Sequence, residues 1–266
     1  MAYANVREVM LSDVWARVRQ MAGDEWEQLR LEELGLDLER DIDEVFGFVA
    51  PGDTPGRPAG LALLRGRFDM TRLEAVAREG GATVSDYEGT RVVGVGADEA
   101  GVLAMAALEP GVVAVGTLVN VHQALDHLSA GSDVTANEEI MALLDRVESG
   151  SHAWAVGRLS DLGALGIVPD DVPIQIPAVA EFTLSGRIDS GVSGAVSVEG
   201  RDDETGQHLR DLLRGVLALA QSQTTDRPEL QTLIDSVELG GVGTTATVSF
   251  SLPSESLDLI FSAAAP

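Results

Sequence analysis

Leu63-Leu64-Arg65-Gly66-Arg67-Phe68-Asp69 reads as a strand that runs out through Gly-Arg-x-Asp into a helix. Ser197-Val198-Glu199-Gly200-Arg201-Asp202-Asp203 repeats the pattern in the second half. The echo extends upstream. Tyr3-Ala4-Asn5-Val6-Arg7 corresponds to Trp154-Ala155-Val156-Gly157-Arg158, and a helical stretch follows each. Both halves then return as strands and close with a helix, near Leu118 and near Ser254. The order reads as a pair of β-α-β-β-α-β-β-α units, with a small-residue linker at 130–137 and an extra helix between them. The expectation is an internal duplication, with a first unit over 1–134 and a linker helix plus second unit over 135–266.

Local signals fill in each unit. Val45-Phe46-Gly47-Phe48-Val49 has the composition of a buried strand, and a Pro/Gly loop at 51–58 leads to the next one at 61–68. Asp69 suits the N-cap of a helix over 71–79, which Gly80-Gly81 ends. Strands at 83–87, 91–95, 102–108 and 112–116 are separated by tight turns at Glu88-Gly89 and Pro110-Gly111. A helix follows over 118–128, and Asn137 precedes another over 138–147. In the second half, 153–158 is β-like and leads into a helical 159–165, and a hairpin crosses Asp189-Ser190-Gly191. Leu209, Leu212, Leu213, Val216, Leu217 and Ala220 make one broad apolar stripe on a helix from Asp203 to Ser222. Pro228 opens a further helix, strands follow at 237–239 and 245–252, and 254–263 closes the chain as a helix. Short turns, rather than helical crossovers, join most strands, so the sheets are expected to be antiparallel. The fold class is therefore α+β, each unit a mainly antiparallel sheet with helices packed on one face.

Composition removes much chemistry. The chain of 266 residues has no cysteine and no lysine, and 18 arginines face 43 acidic residues, for a net charge of −25. Schiff-base and pyridoxal catalysis need a lysine amine, as does a phosphate-cradling P-loop. Thiolate nucleophiles, thiolate zinc sites and iron–sulfur clusters need cysteine. A polyanion of this size is a poor partner for nucleic acid or anionic lipid. No apolar run approaches the roughly 20 residues that span a bilayer. The chain enters a strand-like segment almost at Met1, which points to an export signal already removed. What remains is carboxylate, histidine, hydroxyl and arginine chemistry.

Gly-Arg-x-Asp occurs at Gly66, Gly186 and Gly200. Its functional reading is an Arg/Asp surface for an anionic group, since arginine offers a bidentate fork. Arg67, Asp69, Arg201 and Asp203 are the candidate binding residues. The structural reading, a strand exit followed by a cap or turn aspartate, is the favoured one. His122 and Asp126 are i, i+4 neighbours on one helix and are the candidate metal ligands, whereas His127 points elsewhere. Gly94-Val95-Gly96 lacks the third glycine and the helix of a dinucleotide fingerprint. Ser193 in Gly191-Val192-Ser193-Gly194 sits in a strand, not on a nucleophile elbow. Asp41, Asp43 and Glu44, or Asp170 and Asp171, are acids that could hold Ca²⁺ weakly, without a twelve-residue Ca²⁺ loop pattern. No cofactor is implied.

Leu64-Arg65-Gly66-Arg67-Phe68-Asp69, Tyr87-Glu88-Gly89, Asn137-Glu138-Glu139 and Ala153-Trp154-Ala155-Val156-Gly157 together resemble a group of bacterial exported proteins of unknown function. The likeness covers nearly the whole chain. It implies an envelope or secreted location and no known reaction.

The leading expectation is a non-enzymatic exported binding or assembly module that uses the groove between its halves or a sheet surface, with an unknown ligand or protein partner. A hydrolase working through Asp/Glu and His at the interface between the halves is the second reading, with His122, Asp126 and Asp69 as its candidates. A homo-oligomeric surface or scaffold protein, pairing through sheet edges, is the third.

Overall fold

The structure, a computed structural model, describes residues 1–22, 38–51, 58–98, 101–159, 181–224, 228–254 and 256. The expected helix over 159–165 and the closing helix at 254–263 lie almost entirely outside them, as does Asp170-Asp171. The chain is mixed helix and strand, and every strand pairing within its compact units is antiparallel. Of the described residues, those within 1–7 and 38–141 form the first compact unit, and those within 8–22, 142–159 and 181–256 the second. The division falls inside a helix rather than in the small-residue linker, and the N-terminal helical residues from Glu8 onward group with the second unit.

The first unit contains β1 (Ala2–Ala4), β2 (Ile42–Pro51), β3 (Pro58–Gly66), β4 (Thr83–Tyr87), β5 (Thr90–Asp98), β6 (Gly101–Glu109) and β7 (Val112–Thr117). In chain order α1 (Val6–Met10), α2 (Asp13–Ala22) and α3 (Leu38–Asp41) precede β2, but α1 from Glu8 and all of α2 belong to the second unit. The helix α4 (Met70–Glu79) follows β3, and α5 (Leu118–Ala130) follows β7. The strand order is β1-β2-β3-β7-β6-β5-β4. The β4–β5 hairpin turns on Glu88 and Gly89, at φ 51° and 83°, and the Asp86 side chain accepts from the Gly89 N–H at 3.1 Å. Two successive positive φ values are what a tight hairpin needs to match strand twist.

Register settles which face each helix takes. Tyr87 pairs with Thr90 and Asp86 with Arg91, so Tyr87 and Arg91 point to opposite faces. The Tyr87 hydroxyl donates to Asp126 of α5 at 3.0 Å, whereas Arg91 forms an ion pair with Glu74 of α4. Helices thus lie on both faces of this sheet, not on one as the sequence suggested. Both faces are apolar to match. The row Val92, Ala106, Ala114 and Leu63 packs toward α5, where Val121 and Leu125 complete a buried cluster. The reverse face carries the row Val93, Met105, Val115 and Ala62, and Leu73 and Ala77 are the buried residues of α4.

The second unit contains α6 (Glu138–Leu144), whose last residues belong to it, then β8 (Ala153–Arg158), β9 (Glu181–Ile188) and β10 (Gly191–Glu199). After them come α7 (Asp203–Gln223), α8 (Pro228–Asp235), β11 (Val237–Gly240) and β12 (Thr245–Pro253). Its strand order is β8-β9-β10-β12-β11. Here the faces differ from each other. Phe182, Leu184 and Ile188 of β9 share one face with Val192, Val196 and Val198 of β10 and Val248, Phe250 and Leu252 of β12. Leu239 of β11 joins that face opposite Val248, and it lines a cavity with Leu213 of α7. The helix therefore lies on the apolar side. Its stripe is only partly covered: Leu209 is buried, whereas Val216 is 46 % exposed.

Candidate functional site

The other face of the second unit's strands is lined by hydroxyls. Alternation places Thr183, Ser185 and Arg187 of β9 on one side with Ser193, Ser197 and Glu199 of β10. Register adds Thr245, Thr247, Ser249 and Ser251 of β12 to that side. The segment 146–149 crosses this face. Arg146 pairs with Glu181 at 3.3 Å and with Glu199, and Arg187 donates to the Ser149 carbonyl.

A cavity opens at each end of that crossing. One, of about 200 Å³, is lined by Arg146, Glu181, Thr183, Ser197, Glu199 and Thr245. Its polar groups are engaged with one another or with close neighbours. Arg146 bridges both glutamates, Ser197 and Thr247 share a hydrogen bond at 3.0 Å, and Thr244 donates to Glu199 at 3.2 Å. The other, of about 190 Å³, is lined chiefly by Glu148, Ser185, Arg187, Ser193, Ala195 and Ser249. Among the described residues, the hydroxyls of Ser185, Ser193 and Ser249 make no hydrogen bond and the Glu148 carboxylate makes no ion pair. A hydroxyl both donates and accepts, so this cavity offers polar capacity that the surrounding protein does not use.

The residues singled out in the sequence do not converge there. Asp69 caps α4, accepting from the Arg72 N–H at 3.1 Å. Arg67 turns back onto its own unit, donating to the Arg40 carbonyl at 2.7 Å and facing Asp43 at 3.6 Å. One oxygen of Asp43 is buried without a hydrogen bond, between Arg67 and Arg7 at 3.6 and 3.8 Å, so its attraction to both is coulombic. The other acids weighed for Ca²⁺ are also held by arginine: Asp41 by Arg40 at 3.2 Å, and Glu44 by Arg65 at 3.1 Å and by the Tyr3 hydroxyl at 2.9 Å.

In the second unit the cap falls one residue earlier than the sequence echo implies. Asp202, not Asp203, accepts from the Thr205 N–H and hydroxyl at 2.8 and 2.7 Å. The Thr205 hydroxyl, and then its N–H, hold the Asp202 carboxyl below its ordinary range. Asp203 is exposed in the first turn, and Arg201 is a largely exposed neighbour of Asp202 at 3.7 Å. At the third Gly-Arg-x-Asp, Arg187 lines the open cavity while Asp189 forms the hairpin turn.

His122 and Asp126 do share a face of α5, with Tyr87 between their roles. The Tyr87 ring stacks on His122 at 3.8 Å, 8° from parallel, while its hydroxyl engages Asp126. That hydrogen bond, more than any other influence, raises the Tyr87 phenol above its ordinary value. The His122 Nε2 is buried and unpartnered among the described residues. Among the described residues, no group of three or more His, Asp or Glu side chains comes together as metal ligands would. No described helix is long and apolar enough to cross a membrane.

The open cavity had a signal in the sequence. Thr183-Leu184-Ser185 and Thr245-Ala246-Thr247-Val248-Ser249-Phe250-Ser251 alternate hydroxyl and other residues with the period of a strand, and Ser193 and Ser197 keep the same parity on either side of Ala195. Glu148 comes from a connection whose place depends on the whole unit. Compared with protein-family models, with curated proteins and with solved structures, the chain matches none.

Proposed function

We propose that the chain is a non-enzymatic binding module, exported from the cell, that takes up its ligand on the hydroxyl-lined face of the second unit's strands. The observation that carries this reading is the cavity of about 190 Å³ where three serine hydroxyls and a carboxylate stand without protein partners among the described residues. The perturbed carboxylates fit the same reading. Asp133 and Asp202 are both held low, and the cause at each is the capping hydrogen bonds of a nearby threonine rather than a catalytic cleft. The export part rests on the sequence resemblance. Internal duplication belongs to the reading as well. Each unit runs a three-strand meander into a helix and returns with its last strand beside the third, β7 beside β3 and β12 beside β10. The first unit then differs by a further hairpin in the return.

Native mass spectrometry of protein purified from its own host, with a denatured control, tests the binding reading. The expected result is extra mass that leaves on denaturation and is reduced in a Ser193→Leu/Ser249→Leu variant, whose side chains fill the cavity. Clean multiples of 27.9 kDa without extra mass would favour the assembly reading instead.

A further inference from the structure

The open cavity is polar yet balanced in charge. Glu148 and Arg187 supply one carboxylate and one guanidinium, in a chain that carries −25 overall. An anion would meet long-range repulsion from the protein, and a cation would meet Arg187 at the site itself. We propose that this cavity holds one ring of a neutral saccharide; the proposal rests on the binding reading above and names its ligand class.

Three observations point to that chemistry. Ser185, Ser193 and Ser249 each offer a donor and an acceptor. A ligand hydroxyl can use both senses of each serine at once, whereas an amide oxygen can only accept and an ammonium can only donate. Glu148 and Arg187 are planar forks, and each can engage two adjacent hydroxyls of one ring, the carboxylate as acceptor and the guanidinium as donor. Arg187 arrives positioned, because the Ser149 carbonyl already accepts one of its N–H groups and Gly150, at φ 77°, leaves room beneath the guanidinium. Size sets the limit. A volume of about 190 Å³ corresponds to roughly six water molecules at ~30 Å³ each, below the ~300 Å³ at which drug-sized pockets begin. One small ring fits, and Ala195 supplies an apolar contact for its C–H surface.

The neighbouring cavity does not share this character. Its arginine and glutamates are paired with one another, so a ligand there would have to displace ion pairs.

The test is titration of the full chain with glucose, galactose, mannose, N-acetylglucosamine and their short oligomers, read by saturation-transfer NMR and calorimetry. Ser193→Val, Ser249→Val and Glu148→Gln are compared with Ser251→Val, which lies on the same face outside the cavity. The expected result is binding of at least one neutral sugar, weakened about tenfold by each cavity substitution and unchanged by Ser251→Val. Sugar binding that ignores the cavity substitutions would overturn the site. If no sugar binds while native mass spectrometry still finds another bound mass, the ligand class is wrong and the binding reading stands. If neither sugar nor any other mass is bound, both fail.

Discussion

In the first unit the strands are apolar on both sides and each side carries a helix, α5 over the Val92–Ala106–Ala114 row and α4 on the reverse. In the second unit β9, β10 and β12 are apolar on one side only, and hydroxyls occupy the other. The strand orders correspond: the third strand of each unit lies beside the last. What differs is the use of the second face. Burial between helices stabilises a sheet but leaves it no surface to offer, whereas a hydroxyl face keeps polar groups that can meet a ligand. The open hydroxyls of the second unit and the helix-covered faces of the first follow from that difference.

The strongest way to break this comparison is to truncate the helix contacts of the first unit. Leu73→Ala in α4 and Leu125→Ala in α5 should each cost about 3 kcal/mol in urea unfolding, because both side chains are buried. A negligible loss at either position would mean that the corresponding face is not covered. In the second unit, a β-carbon at Gly206 of α7 would lie 2.3 Å from the Gly243 carbonyl. Gly206→Ala should therefore cost roughly 1–3 kcal/mol by forcing helix and sheet apart. A neutral outcome would show that α7 does not seat there.

Smaller effects sharpen the picture at the matched strand exits. Asp69→Ala should cost about 1 kcal/mol as a lost cap. Asp202→Ala should also lower stability, and Asp203→Ala should leave it unchanged, reversing the order the sequence echo suggests. Acid titration adds a second readout. Because the folded state holds the Asp202 carboxyl low, its contribution is present above the unfolded value near 3.9 and is lost as pH falls through the lower folded value. Asp202→Asn should flatten that acid-side loss. Tyr87 behaves in the opposite sense. Its raised folded value means the Asp126 contact contributes fully below the ordinary 10.0 and is lost as pH rises beyond it. Tyr87→Phe should remove that alkaline-side loss in the first unit. Smallest of all, Ser249→Val should shift stability by no more than about 0.5 kcal/mol, since its hydroxyl makes no hydrogen bond among the described residues.

Much of the strand pattern was legible because its causes are local. Glu88-Gly89 and Pro110-Gly111 turn where glycine permits positive φ, and Asp69 caps where an aspartate meets a helix start. The cap in the second unit was not legible, because Asp202 and Asp203 are adjacent and only backbone geometry distinguishes them. The second helix layer on the first unit's strands was not legible either. Which face a crossover helix takes depends on register, here on Tyr87 and Arg91 pointing opposite ways. The hydroxyl alternation of β12 was present as a period of two, but it becomes a face only when Ser249 is set beside Ala195 and Ser185, more than fifty residues away in the chain. Glu148 could not be assigned to the site from spacing at all, because the connection that bears it is placed by Arg146 and Arg187.

Carbene footprinting of the ligand-free chain tests the contrast between the strand faces of the two units most directly, because it labels whatever side chains solvent reaches. The account predicts modification at Ser193, Ser249 and Ser251, and none at Val92, Ala106, Val113 or Ala114. Equal protection of both sets would mean that the hydroxyl face is covered like the strand faces of the first unit, and the binding surface proposed on it would not exist.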